Sequence, residues 1–228
     1  MNANSELRLT EEKSERRVNL VHGEISLNVA HDPNRPFVVC AGGFLFRDLG
    51  TTFNVVGKSN SVVLTVVEGE VSLEGQCGDD GRPILAGGST AIRVVGSNGR
   101  VIGRKLAAND QMTIVTSSDG IIARARTLSP AEMSFVTSWR EGVLKFDGAN
   151  LRDAIDGVNR NCNVEIELGD PTLAADADLH GTLKLGRPST IDGFLKAVKE
   201  IYGLVPAAAD PLRPRVVTLV RERHHRSR

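Results

Sequence analysis

The chain has 228 residues, 40% of them apolar and 25% charged, enough for one or two globular domains with a buried core. Its 28 basic and 28 acidic residues cancel, which argues against a general attraction to nucleic acid. No run approaches the roughly 18 apolar residues of a membrane-spanning helix, and the polar opening Met1-Asn2-Ala3-Asn4-Ser5-Glu6 has no signal-peptide core.

From residue 18 the chain reads as strands. Val18-Asn19-Leu20-Val21-His22 and Ile25-Ser26-Leu27-Asn28-Val29 alternate with period two, and Gly23-Glu24 between them predicts a turn. Phe37-Val38-Val39-Cys40 follows Arg35-Pro36; then come Phe53-Asn54-Val55-Val56, residues 62–67 and Val71-Ser72-Leu73. Residues 21–29 (VHGEISLNV) and 67–75 (VEGEVSLEG) echo one another, with their glycines 46 positions apart (69 − 23). The echo leaves a β-roll and an ordinary sandwich equally open. Residues 78–82 form a turn, and residues 91–125 continue in Val, Ile and Thr-rich runs without helical periodicity.

At Ser129 the style changes. Ser129-Pro130-Ala131-Glu132 is a helix start and predicts a linker helix over 128–138. Residues 143–146 predict a strand, and Asn150 a cap for a helix with Leu151, Ile155 and Val158 on one face. Val164, Ile166 and Leu168 alternate with glutamates as a half-buried strand, and residues 179–185 give another. A second helix starts at Ser189 or Thr190, turns Phe194 and Val198 inward and stops at Gly203. Residues 216–220 close the set. The expected fold is a mainly β domain over 1–127, a roll or sandwich of short strands, and a small α+β domain over 139–223. That second domain is predicted as βαβ-βαβ, one small sheet with helices on one face. The Arg- and His-rich residues 224–228 read as a solvated tail.

Chemistry-bearing patterns are absent. There is no phosphate loop, dinucleotide fingerprint or nucleophile elbow. His22, His31 and His180 lie far apart without zinc-like spacing, and Asp170, Asp176 and Asp178 lack the spacing of a calcium loop. Cys40, Cys77 and Cys162 read as small buried hydrophobes or one free surface thiol, since three cannot complete a disulfide framework. No catalytic residue, metal or cofactor is expected, and the chain reads as a non-enzyme. Trp139, the single indole, reads as packing where the two domains meet, or else as a partner anchor.

Several stretches fit one pattern. Gly23-Glu24 and the run from Asn28 through Arg35-Pro36-Phe37-Val38-Val39 form its first element. Leu49-Gly50-Thr51-Thr52-Phe53-Asn54-Val55 is similar to an LGT-x-F-x-V element, and Val66-Val67-Glu68-Gly69-Glu70-Val71 to V-x-E-G-x-V. Trp139, Gly142, Leu144 and Phe146 match W-x-x-G-x-L-x-F, and Asn159-Arg160 a helix-ending pair. Together they resemble the FecR family of sigma-factor regulators.

The resemblance implies an all-β FecR domain followed by a domain similar to the signalling domain of secretins and TonB-dependent transducers. It places the chain on the periplasmic side of the inner membrane. It implies binding to a transducer's signalling domain, with the sigma factor reached only through a preceding segment and membrane helix that this sequence lacks. It further implies that the first strands of the β-domain are missing, leaving an unpaired edge. The residues 179–185 strand (Leu179, Leu183, Leu185) and the final strand (Val216, Val217) are the candidate contact edges. The alternative is a structural or envelope-binding β-module, although aromatics, at 4%, are few for a saccharide surface.

Overall fold

A computed structural model describes residues 1–2, 5–11, 14–48, 50–84, 94–96, 101–102, 105–118, 120–162, 164–173, 178–187 and 189–222. Leu49, Asp176, much of 85–104 and the tail 224–228 lie outside the described residues. The chain forms two units, Met1–Ser129 and Pro130–Arg228, each with its own core.

The first unit is built from strands β1 (Glu6–Glu11), β2 (Arg16–Asn28), β3 (Phe37–Ala41), β4 (Phe44–Asp48), β5 (Thr52–Lys58), β6 (Ser61–Glu68), β7 (Glu70–Gln76), β8 (Val94–Gly96), β9 (Val101–Ile102), β10 (Lys105–Ala107), β11 (Asp110–Ser117) and β12 (Gly120–Thr127). They form one curled sheet in the order β10-β7-β4-β3-β2-β5-β6-β11-β12-β8-β9, with β1 also paired to β2. Val18, Leu20, Phe44, Phe46, Phe53, Leu64, Leu73 and Ile114 fill its core from both ends of that order.

The turn expected at Gly23 is absent. The strand β2 runs straight through it, but its inward parity changes from Val18 and Leu20 to Ile25. Residues 16–20 pair with β3, whereas residues 23–28 pair with β5. The glycine makes this handover possible, with φ of +99° and the Ser5 Cα 2.5 Å from where a Cβ would stand. Gly69, at φ +85°, joins β6, whose partners are β5 and β11, to β7, whose partners are β4 and β10. The echo in the sequence therefore marks two corners where the chain crosses between the halves of the sheet. Glu24, next to the first corner, is buried with its carboxylate accepting from Asn2 Nδ2 and Asn54 Nδ2, both at 2.8 Å.

Strand β1 was not anticipated, because only Leu7 and Leu9 alternate there among charged residues. Strand β3 is buried on both faces. Val39 and Ala41 enter the main core, while Val38 and Cys40 join Leu45 and Cys77 on the opposite side. Cys40 and Cys77 are bonded as a disulfide, which corrects the reading of both as thiols or plain hydrophobes; Cys162 is the free cysteine. Their separation of 37 residues follows no spacing rule. The ladder supplies the proximity, since Cys40 pairs with Leu45 and Leu45 with Gly75.

The second unit contains α1 (Pro130–Thr137), a 3₁₀ turn Ser138–Glu141, β13 (Val143–Ala149), α2 (Leu151–Asn161), β14 (Glu165–Leu168), β15 (Leu179–Lys184), α3 (Thr190–Tyr202), β16 (Leu204–Pro206) and β17 (Val216–Arg221). The helix expected as a linker belongs to this unit. Its Phe135 ring lies 5.6 Å from Phe146, which in turn lies 6.4 Å from Phe194. Asn150 caps α2 by accepting from Asp153 N, and Gly203 ends α3 with φ of +64°. One sheet was expected. Two form instead, β13-β15 antiparallel and β14-β17-β16, with the amphipathic helices filling the core between elements of both.

Two outcomes follow. Gly23→Val should cost about 2–4 kcal/mol in denaturant unfolding, from the positive φ and the contact with Ser5. Thiol titration of the unfolded, unreduced chain should find one thiol, rising to three on reduction; replacing both Cys40 and Cys77 by Ser should cost about 2–4 kcal/mol.

Candidate partner-binding edge

A small sheet meets another protein most readily along an unpaired strand edge, so the partners of its edge backbone groups decide where the second unit can pair. Strand β17 lies between two partners along part of its length. Val216 and Val217 pair with Glu165 and Ile166 of β14 on one side, and the strand pairs with β16 on the other. Val217 also packs against the core. The C-terminal strand is central in the order β14-β17-β16, and β16, a three-residue strand that carries no periodic signal in the sequence, pairs with its Leu219–Arg221 end.

The outer edge of β14 is met at Ile166 by one side chain. Asn159 Nδ2 donates to the Ile166 carbonyl, and Ile166 N–H donates to Asn159 Oδ1, both at 2.8 Å. A carboxamide offers the same donor and acceptor as a peptide group, so Asn159 stands in for a residue of a neighbouring strand. Asn159 and Arg160 both lie in the last turn of α2. Helix α2 runs on to Asn161, and Cys162 N–H closes it by donating to Val158 O. On the solvent side of β14, Arg213 grips Glu167 with two hydrogen bonds of 3.0 and 3.1 Å. That guanidinium, with the Thr218 hydroxyl, holds the Glu167 carboxyl below its ordinary range.

The outer edge of β16 carries Pro206, which has no N–H to offer, and the strand is only three residues long. The outer side of β13 is met by the preceding turn, where Ser138 Oγ accepts from Lys145 N–H at 3.0 Å. Trp139 packs against the core of its own unit, and Gly142, at φ +74°, turns the chain into β13.

Strand β15 forms the other side of the β13 ladder. Leu179 is buried, and Leu183 and Leu185 are half-buried against the core. These three side chains therefore face inward and are not themselves a contact surface. The backbone is different. Lys145 N–H points away from β15 and Leu185 N–H donates to Gly142 O, which sets the alternation of the ladder. His180, Thr182 and Lys184 accordingly turn their peptide groups outward. The Lys184 carbonyl is taken by Thr190 Oγ1 at 2.8 Å. The peptide groups of His180 and Thr182 meet no partner among the described residues, and both residues are exposed. Beside them the His180 imidazole lies 3.3 Å from the Asp147 carboxylate. No group of three or more metal-ligating side chains occurs among the described residues.

Residues 1–72 match the family model described as FecR protein. Gly23, Glu24, Arg35, Pro36, Phe37, Gly50, Thr51, Phe53, Glu68 and Gly69 all lie within the FecR match. Two crystal structures of a "putative anti-sigma factor" from Parabacteroides distasonis, at 1.65 and 2.50 Å resolution, share the fold. They superpose with TM-scores of 0.63 and 0.62 at 21% identity, over 98% of this chain and 89% of theirs. None of the curated proteins matches the chain. Within the matched residues several motif positions have a structural part. Thr51 donates to the Glu70 carbonyl at 3.1 Å beneath Gly69. Arg35 is tied to Asp32, and the ring of Phe37 lies 5.5 Å under Arg16.

Asn159→Leu should leave the buried Ile166 peptide groups unpartnered. We expect a loss of about 1–3 kcal/mol in thermal or denaturant unfolding and a rise in self-association by light scattering.

Proposed function

We propose that this chain is the periplasmic receiver portion of a FecR-type sigma-factor regulator. The observation that carries the reading is the FecR match over residues 1–72 of the β-unit. A fold shared over 98% of the chain with a protein described as an anti-sigma factor supports it. The buried Cys40–Cys77 disulfide fits an oxidising compartment, where such bonds form and persist. No helix among the described residues is long and apolar enough to cross a membrane.

In this role the second unit binds the signalling domain of an outer-membrane TonB-dependent transducer, loaded with iron or another ligand. The bound state is passed through a membrane helix to the segment that holds an extracytoplasmic-function sigma factor. The transfer needs binding free energy that differs between two states and no covalent step.

Calorimetric titration of the 228-residue chain with the signalling domain of the transducer encoded beside its gene tests the reading. Saturable one-to-one binding is expected. No heat and no complex, with both proteins folded by circular dichroism, would exclude the pairing and leave a structural envelope module.

A further inference from the structure

We propose that Asn2, Ser5 and β1 form a latched strap, which opens as one unit from a β-domain that stays folded, with Glu24 as the latch. The inference goes beyond the receiver reading and does not depend on it.

The strap is held unlike the strands beside it. Val18 and Leu20 of β2, and Val39 and Ala41 of β3, are buried in the core. From the strap, Leu7 packs against that core and is only partly buried, while Leu9 is 71% exposed. Glu6, Arg8 and Thr10 are exposed, and Arg8 pairs with Glu6 of the same strand. Little apolar surface therefore returns to water when β1 leaves. Segments with few buried apolar contacts open at free energies well below that of global unfolding.

The strap's polar contacts gather at one residue. Asn2 N–H donates to the Glu24 carbonyl, and Asn2 Nδ2 to Glu24 Oε2, both at 2.8 Å. Ser5 Oγ accepts from Glu24 N–H at 2.9 Å and donates to the Glu24 carbonyl at 3.2 Å. Ser5 occupies the space that a side chain at position 23 would fill, so Gly23 provides its seat. The other carboxylate oxygen, Oε1, accepts from Asn54 of β5, which stays with the sheet. A buried carboxylate needs donors, and water supplies them as an amide does. Lifting the strap exchanges the Asn2 donor for water and strands no charge. Both arrangements are thus satisfied, as a two-state element requires. In the open one, the β2 edge from Arg16 to His22 that faces β1 is bare.

The register fixes the readout. Arg16 N–H donates to Pro36 O, towards β3, so alternation turns the Val18 and Leu20 amides to β3 as well. Arg17 and Asn19 face β1, opposite Thr10 and Arg8.

Native-state hydrogen exchange on the full 228-residue chain, read residue by residue by NMR, tests the strap in wild type, Asn2→Ala and Ser5→Ala. The Arg8, Thr10, Arg17 and Asn19 amides should share one protection factor, about a hundredfold or more below those of Val18 and Leu20. Each variant should lower all four together by about three- to tenfold. Unchanged protection at Val18 and Leu20 shows that the rest of the domain is still folded. Four amides as protected as Val18 and Leu20 would mean that no separate opening occurs. Protection that declines from Thr10 to Arg8 and ignores both substitutions would mean ordinary fraying of a strand end. Either result overturns the latch and leaves the receiver reading untouched.

Discussion

The β-unit depends on a contact that a side chain would forbid. Gly23 lets β2 change both partner and inward parity in mid-strand, and Ser5 packs into the space where its Cβ would stand. The carboxylate of Glu24, next along the chain, is buried and held by two asparagine amides, one before β1 and one on β5. Burying a charge without such donors is costly. The first residues, the long strand and its second neighbour are thus joined at one point. Gly69 repeats the manoeuvre at the other crossing, over Thr51. With both corners in place, one sheet encloses one core.

The second unit addresses a different constraint. Two sheets of two and three strands have many edges for their size, and each exposed edge invites pairing. The chain answers several of them locally, with a carboxamide, a proline or a serine hydroxyl. The packing follows: α2 must stay close enough to β14 for Asn159 to reach Ile166, which seats Val158 and Ile155 in the core. Helix position and edge closure are one arrangement.

Much of this was legible in the sequence. Period-two runs located most strands of both units, Asn150 and Gly203 bounded helices by known capping chemistry, and the ordered glycine motifs pointed to the FecR family. What was not legible was long-range pairing. Gly23 looked like a turn because sequence alone cannot separate a hairpin from a corner within a strand. The Cys40–Cys77 bond arises from β3, β4 and β7 lying side by side. The final strand reads as an edge because the three residues of β16, which pairs with its Leu219–Arg221 end, carry no periodic signal. Asn159 sat at a helix end, where its type suggested a terminator. Its partner is seven residues on, in a different element.

The Asn159 plug has a chemical consequence. An asparagine amide can hydrolyse, and the aspartate that results keeps an acceptor but loses the donor that meets the Ile166 carbonyl. It also sets a negative charge against that carbonyl's own partial charge. A reaction adding a single oxygen in place of NH₂ would turn a closed border into an open, electrostatically repelled one. The solubility of this small sheet is therefore tied to the covalent age of one side chain, in a way no change of sequence would record.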